Sequence, residues 1–132
     1  MIRDYLIPAL KREFAGREII FGSPPEPVAI FPAHQAEVGR VLVYDDGVEA
    51  TLVIEKISHC HIDPSEQSEP QRTRIICEDV IEFLNALFKD NVLMFTAPDN
   101  RVGGWSRLDL GQGAVELRPG YRYFLWSGPY QA

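Results

Sequence analysis

Residues 58–64 read Ser-His-Cys-His-Ile-Asp-Pro and bring two imidazoles, a thiol and a carboxylate into one short stretch. If the stretch is extended, side chains alternate, so His59 and His61 share one face and Cys60 takes the other. An H-x-H pair on a strand sets its Cα atoms about 7 Å apart, a spacing compatible with joint coordination of Zn²⁺ or Fe²⁺. Read as the continuation of the strand before it, the same face also carries Glu55, as a general base or as a group that orients a ligand. Asp63 offers one more oxygen. The candidate metal set is therefore His59, His61, Glu55 and Asp63. The competing use of these residues is structural, because Asp63-Pro64 begins a turn whose carboxylate can serve the local backbone. No C-x-x-C or H-E-x-x-H accompanies the pair. A divalent metal is the one cofactor these residues suggest, and no motif calls for another.

Other catalytic patterns are missing. Ser127-Gly128-Pro129 is not a nucleophile elbow, and no Ser or Cys lies in a strand–nucleophile–helix setting. The glycines at 103–104 and at 111 and 113 do not sit between a strand and a helix, as a phosphate cradle requires. No catalytic residue is assigned, and the balance leans away from an enzyme. A second cluster is aromatic. Trp105, Tyr121, Tyr123 and Trp126, with Arg122 among them, are the residue types that anchor protein interfaces. They form the candidate interaction surface, with core packing as the alternative.

These residues need elements to hold them. Leu6, Leu10 and Phe14 recur at helical spacing, which predicts an amphipathic helix within residues 1–15, beginning near Ile7 so that Pro8 falls in its first turn. Short strands are expected at 18–22 and 27–31. Asp46-Gly47 between two β-rich runs is a strong hairpin signal. A two-residue loop there sets Val41 opposite Leu52 and Asp45 opposite Val48. It sends Val41, Val43, Val48, Ala50, Leu52 and Ile54 to the core and leaves a mixed, partly solvated face. Glu37 opposite Lys56 is a cross-strand ion pair in the same register.

Ser68 and Gln71 have capping-box spacing, which predicts a helix from there, or from Thr73, to about Lys89. Ile76, Cys77, Val80, Phe83, Leu84, Leu87 and Phe88 make its apolar stripe, and Glu78, Glu82, Asn85 and Lys89 point away. The segments VLMFT (92–96), WSRLDL (105–110), AVELR (114–118) and YRYFLW (121–126) read as strands, the last three as a meander. The expected fold is a single α+β domain over residues 1–132. A mainly antiparallel sheet, with its hairpin at 46–47, is packed by an N-terminal helix and a central helix at about 70–89.

The 132 residues, 45% of them hydrophobic, suffice for one domain with a real core. Net charge is −6, with 19 acidic and 13 basic residues. That disfavours nucleic acid and anionic membrane surfaces as partners, since both are bound through Lys and Arg. The N-terminal MIRDYLIPALKREF is broken by Arg3, Asp4 and Pro8 and lacks the apolar core of a signal peptide. Two cysteines, Cys60 and Cys77, imply no disulfide framework. A reduced, cytoplasmic protein is the expectation.

SHCHIDP, the helix IICEDVIEFLNALF, Gly103-Gly104-Trp105 and Trp126-Ser127-Gly128-Pro129 together resemble a family of small bacterial proteins of unknown function. The resemblance covers most of the chain beyond residue 36. It implies a bacterial, cytosolic origin and carries no established activity or site residue. The element order and acidity are also similar to those of type III secretion chaperones and of immunity proteins of toxin systems. A secretion chaperone adds a C-terminal helix, which the residues up to WSGPYQA do not predict. The expected function is a non-enzymatic protein-interaction module, immunity- or chaperone-like, for a protein partner of basic character or for a second copy of itself. The alternatives are a metal-binding protein or metal-dependent enzyme built on His59 and His61, and a small-molecule binding domain with an aromatic-lined pocket.

Overall fold

The computed structural model describes residues 2–100, 103–110 and 116–131. The first helix, α1, spans Ile2–Glu13 and starts ahead of the expected Ile7, with Pro8 in its interior. Proline deprives the Asp4 carbonyl of its helical donor, at a cost of roughly 3 kcal/mol. Asp4 and Pro8 both face solvent, where water can satisfy that carbonyl. Ile2, Leu6 and Leu10 are buried, and each is worth about 1.5–3 kcal/mol. Burial outweighs the proline.

Five strands follow as an antiparallel meander: β1 (Ile20–Phe21), β2 (Ala29–Phe31), β3 (Val41–Asp45), β4 (Ala50–Ile54) and β5 (Ser58–Ile62). The β3–β4 hairpin forms, but its register differs from the expected one. Val41 pairs with Ile54 and Asp45 with Ala50. The turn is centred on Gly47 and Val48, closed by the Asp46 N–H donating to the Glu49 carbonyl at 2.9 Å. Gly47 has φ +88°, and Val48 does not share that left-handed conformation. With Gly47 in the first central position, only the glycine has to adopt positive φ. A turn centred on Asp46-Gly47 would force it on Asp46 as well.

Because the slip is two residues, the faces survive. Val41, Val43, Ala50, Leu52 and Ile54 are all fully buried. Val48 is the exception, since it occupies the turn tip and is 72% exposed. The Glu37–Lys56 pair is not among the ion pairs of the described residues. Arg40 and Glu55 make the contact at this end of the hairpin, at 2.8 Å.

The second helix, α2, spans Gln71–Phe88 and buries Ile76, Cys77, Val80, Phe83, Leu84 and Leu87 as its period requires. The capping box does not form. Pro70 precedes the helix without a side-chain cap, and the Ser68 carbonyl accepts the Arg72 N–H at 2.9 Å. A second sheet contains β6 (Val92–Thr96), β7 (Gly104–Arg107), β8 (Arg122–Leu125) and β9 (Gly128–Pro129), in the order β7-β6-β8-β9. The expected C-terminal meander gives way to a central β6, the strand whose Val92, Leu93 and Met94 are all buried. Of AVELR, residues 116–118 are not strand, and residues 114–115 lie outside the described residues.

One hydrophobic cluster takes in both helices and both sheets, so this is an α+β fold with antiparallel sheets. Its aromatic spine is Phe14, Phe31, Phe88 and Trp126. Phe88 lies 5.6, 5.1 and 5.1 Å from the other three ring centroids in that order. No helix among the described residues is long and apolar enough to cross a membrane.

Candidate functional site

The histidine stretch is β5, as alternation requires. His59 and His61 are exposed on one face, with ring centroids 5.3 Å apart, and Cys60 turns toward the core. The chain reaches β5 through a tight turn at residues 55–57, closed by the Ile57 N–H on the Ile54 carbonyl at 2.9 Å, and does not continue straight from β4. His61 therefore stands opposite Thr51, and His59 opposite Val53.

Glu55, expected beside the imidazoles, lies in that turn and faces the other way along the hairpin. Its carboxylate accepts the Arg40 backbone N–H at 2.7 Å and the Arg40 guanidinium at 3.0 and 2.8 Å. Those hydrogen bonds hold the Glu55 carboxyl below its usual range. Asp63 is also taken. It accepts from Arg72 at 2.5 Å, while Arg72 further donates to the carbonyls of Val48, Pro64 and Glu66. Neither carboxylate joins the histidines. Both are engaged by arginines.

The aromatic set divides in a similar way. Trp126 is 5% exposed and meets Phe88 edge to face, and Trp105 packs on Phe83 at 5.3 Å. Trp126 thus belongs to the core, and Trp105 is half-buried against it. Alternation explains it, because Phe124 and Trp126 point inward together. Tyr121 and Tyr123 are half-buried against Phe95 on the opposite side, and the Tyr123 hydroxyl accepts the Arg118 N–H at 2.8 Å. Arg122 is exposed, with its guanidinium 5.3 Å from the Phe124 ring. Gly103 is required by close approach. A Cβ there would lie 2.2 Å from the Phe95 carbonyl oxygen and 2.8 Å from that of Ile57, where the second sheet meets the 55–57 turn.

A broad concavity lies elsewhere. Along their outer sides α1 and α2 leave a groove of about 930 Å³, running from Pro70 at one end of α2 to Lys89 at the other. Ala9 and Ala86 let the helices approach and, with Cys77 and Ile81, give the groove an apolar floor. Tyr5 stands on its rim, 60% exposed. The polar residues of α2 expected to face away from the core, Glu78, Glu82, Asn85 and Lys89, line its walls.

The groove's arginines are paired within it. Arg12 meets Glu13 at 3.9 Å, Arg74 meets Glu78 at 3.7 Å, and Arg107 meets Glu82 at 2.6 Å. Arg107 also grips Asp109 with two bonds of 2.9 Å, which hold the Asp109 carboxyl below its usual range. The first two pairs are long and exposed, and such pairs are worth about 0–1 kcal/mol. They can re-pair with a ligand at little cost. Only the alternating polar stripe of α2 hinted at this surface, because a groove between two helices depends on how they pack.

A smaller cavity of about 260 Å³ is lined by Arg17, Phe31, His34 and Trp126, among others. It is an aromatic-lined pocket, and it falls just under the roughly 300–1,000 Å³ typical of ligand clefts. Set against models of protein families, curated proteins and solved structures, the chain matches none.

Proposed function

We propose that this chain is a protein-interaction module that receives a partner segment in the groove between α1 and α2. The supporting observation is the groove itself: an apolar floor from Cys77 to Ala86 of α2, an exposed tyrosine on the rim, and weakly paired charges on the walls. A helix with one apolar stripe is the segment such a groove accommodates. The net charge of −6 favours a basic one, by steering its approach.

The test replaces Tyr5 with a photo-crosslinking residue and illuminates the full chain in extract of its source cells. A stoichiometric adduct is expected, mapping to a basic amphipathic segment of one partner and lost when Ala9→Arg fills the floor. No adduct, or one that Ala9→Arg leaves unchanged, would sink the proposal. An adduct between two copies of the chain would make the module a homodimer, and sedimentation velocity reads that directly.

A further inference from the structure

We infer that Asp46, Glu49 and His61 bind a first-row divalent cation, with Zn²⁺ the best match. Asp46 and Glu49 flank the Gly47-Val48 turn between β3 and β4, and His61 lies across the sheet on β5, opposite Thr51. One ligand atom from each of the three lies within 4.8 Å of the others. His61 Nδ1 is 3.6 Å from Glu49 Oε1 and 3.0 Å from Thr51 Oγ1, and the buried Thr51 hydroxyl donates to the Asp46 carboxylate. The turn and its two-residue slip are what bring these side chains together. In the register expected from Asp46-Gly47, Thr51 and Glu49 would pair differently with β3.

Two features separate the cluster from a chance patch of surface acid. One donor is a nitrogen, delivered from a different strand. The carboxylates are also not tied up by a basic side chain: no Lys or Arg among the described residues makes an ion pair with either, and the ionic neighbour of Glu49 is His61. Like charges so placed repel, and a divalent ion between them converts the repulsion into attraction. Zn–N and Zn–O bonds of about 2.0–2.2 Å set tetrahedral ligands about 3.4 Å apart. The side chains therefore close by little more than an ångström, which exposed Asp46 and His61 are free to do.

One imidazole with two carboxylates suits Zn²⁺, Fe²⁺ or Mn²⁺ better than Mg²⁺ or Ca²⁺, which prefer oxygen throughout. Three protein ligands leave a position for water. Thr51, already bonded to Asp46, would orient that carboxylate from behind. His59 is exposed beside His61 but its ring is edge-on, at 81°. It serves as the internal control. This inference is independent of the groove.

The test uses untagged full-length protein, stripped with chelator and titrated by calorimetry with Zn²⁺ and separately with Mg²⁺, while imidazole resonances are followed by NMR. Expected are one Zn²⁺ per chain, a shifted His61 ring, and weaker binding of Mg²⁺. Removing a ligand by Glu49→Gln or His61→Ala should weaken Zn²⁺ by at least the about 10–100-fold that loss of an outer-shell partner costs. His59→Ala should change little. The inference is overturned by any of three results: no Zn²⁺ binding, equal affinity for Mg²⁺, or a loss in His59→Ala that matches the loss in His61→Ala. Should His61→Ala fail to fold, Glu49→Gln at the turn decides alone.

Discussion

Asp90 holds Ser127 with both carboxylate oxygens, one on the backbone N–H at 3.0 Å and one on the hydroxyl at 2.6 Å. Asp90 is the left-handed residue that ends α2, with φ 62°. The Asn91 N–H reaches back to the Ala86 carbonyl and the Asp90 N–H to that of Leu87, the pattern that usually places glycine at this position. Ser127 lies in the two-residue turn between β8 and β9, next to buried Trp126. The WSGP motif is thus the turn that Asp90 ties to the end of the helix.

Asp90→Ala keeps the left-handed strain and loses both bonds, so it should destabilise by about 1–3 kcal/mol. Asp90→Gly loses the same bonds but relieves roughly 1 kcal/mol of backbone strain, and should fall between alanine and wild type. Urea unfolding of the three proteins measures this order. Equal stability of Asp90→Ala and wild type would mean the tether contributes nothing.

Arg72 is a buried hub at the start of α2, serving three backbone carbonyls and Asp63. Arg72→Met should cost about 1–3 kcal/mol, because it leaves part-buried carbonyls without their donor. Asp63→Asn should cost less than about 1 kcal/mol, since the Asp63 side chain is 61% exposed. Thermal melts of both variants check the asymmetry, and a larger loss from Asp63→Asn would show the ion pair to be the principal contact.

The pair of Arg40 and Glu55 should give stability a pH signature. The Glu55 carboxyl is depressed first by its bond to the Arg40 side chain and then by the Arg40 backbone N–H. The unfolded chain binds that proton more readily than the folded one. The stabilisation is therefore present above the ordinary glutamate pKa and is lost as pH falls through the depressed value. The pair is part-exposed, so solvent screens it and the effect is small. Melting temperatures of wild type and Glu55→Gln should differ most near neutral pH and converge in acid. A gap that does not change with pH would rule out this linkage.

Both thiols should be inert in the native protein. Burial pushes the Cys77 thiol up to about 11, with Asp45 and Glu78 adding to it, and burial also raises Cys60. Only the thiolate attacks an alkylating reagent. At pH 8 iodoacetamide should modify neither cysteine until denaturant is added, as followed by intact mass. Rapid native labelling of Cys77 would show that the packing between the helices opens.

Much of this fold was legible in the residues, for identifiable reasons. The stripe of α2 repeats at the helical period, and the faces of β3 and β4 survive a two-residue slip because strand parity is two. The position of Glu55 was not legible. The turn at Glu55-Lys56-Ile57 contains no Gly, Pro, Asn or Asp, so EKISHCH reads as unbroken strand. The same hidden reversal sets His61 beside the β3–β4 turn. For Trp126, alternation indicates which residues share its side but not which side is covered. Arg72 has the local pattern of any solvated helix-start charge, and its acceptors come from a distant turn and loop.

In the first sheet every strand pairs with its neighbour in sequence, so each loop to be closed is short and its entropic cost small. β6 has no such convenience on one side, because Thr96 must wait for Arg122 across a long excursion of chain. Local pairings tend to form early and distant ones late. The C-terminal hairpin is then the last piece to arrive, and the grip of Asp90 on Ser127 is a latch fastened after the folding barrier has been crossed. Stopped-flow measurements on Asp90→Ala are accordingly expected to show faster unfolding at a nearly unchanged refolding rate. The tether would thus govern how long the native state lasts and have little influence on how quickly it is reached.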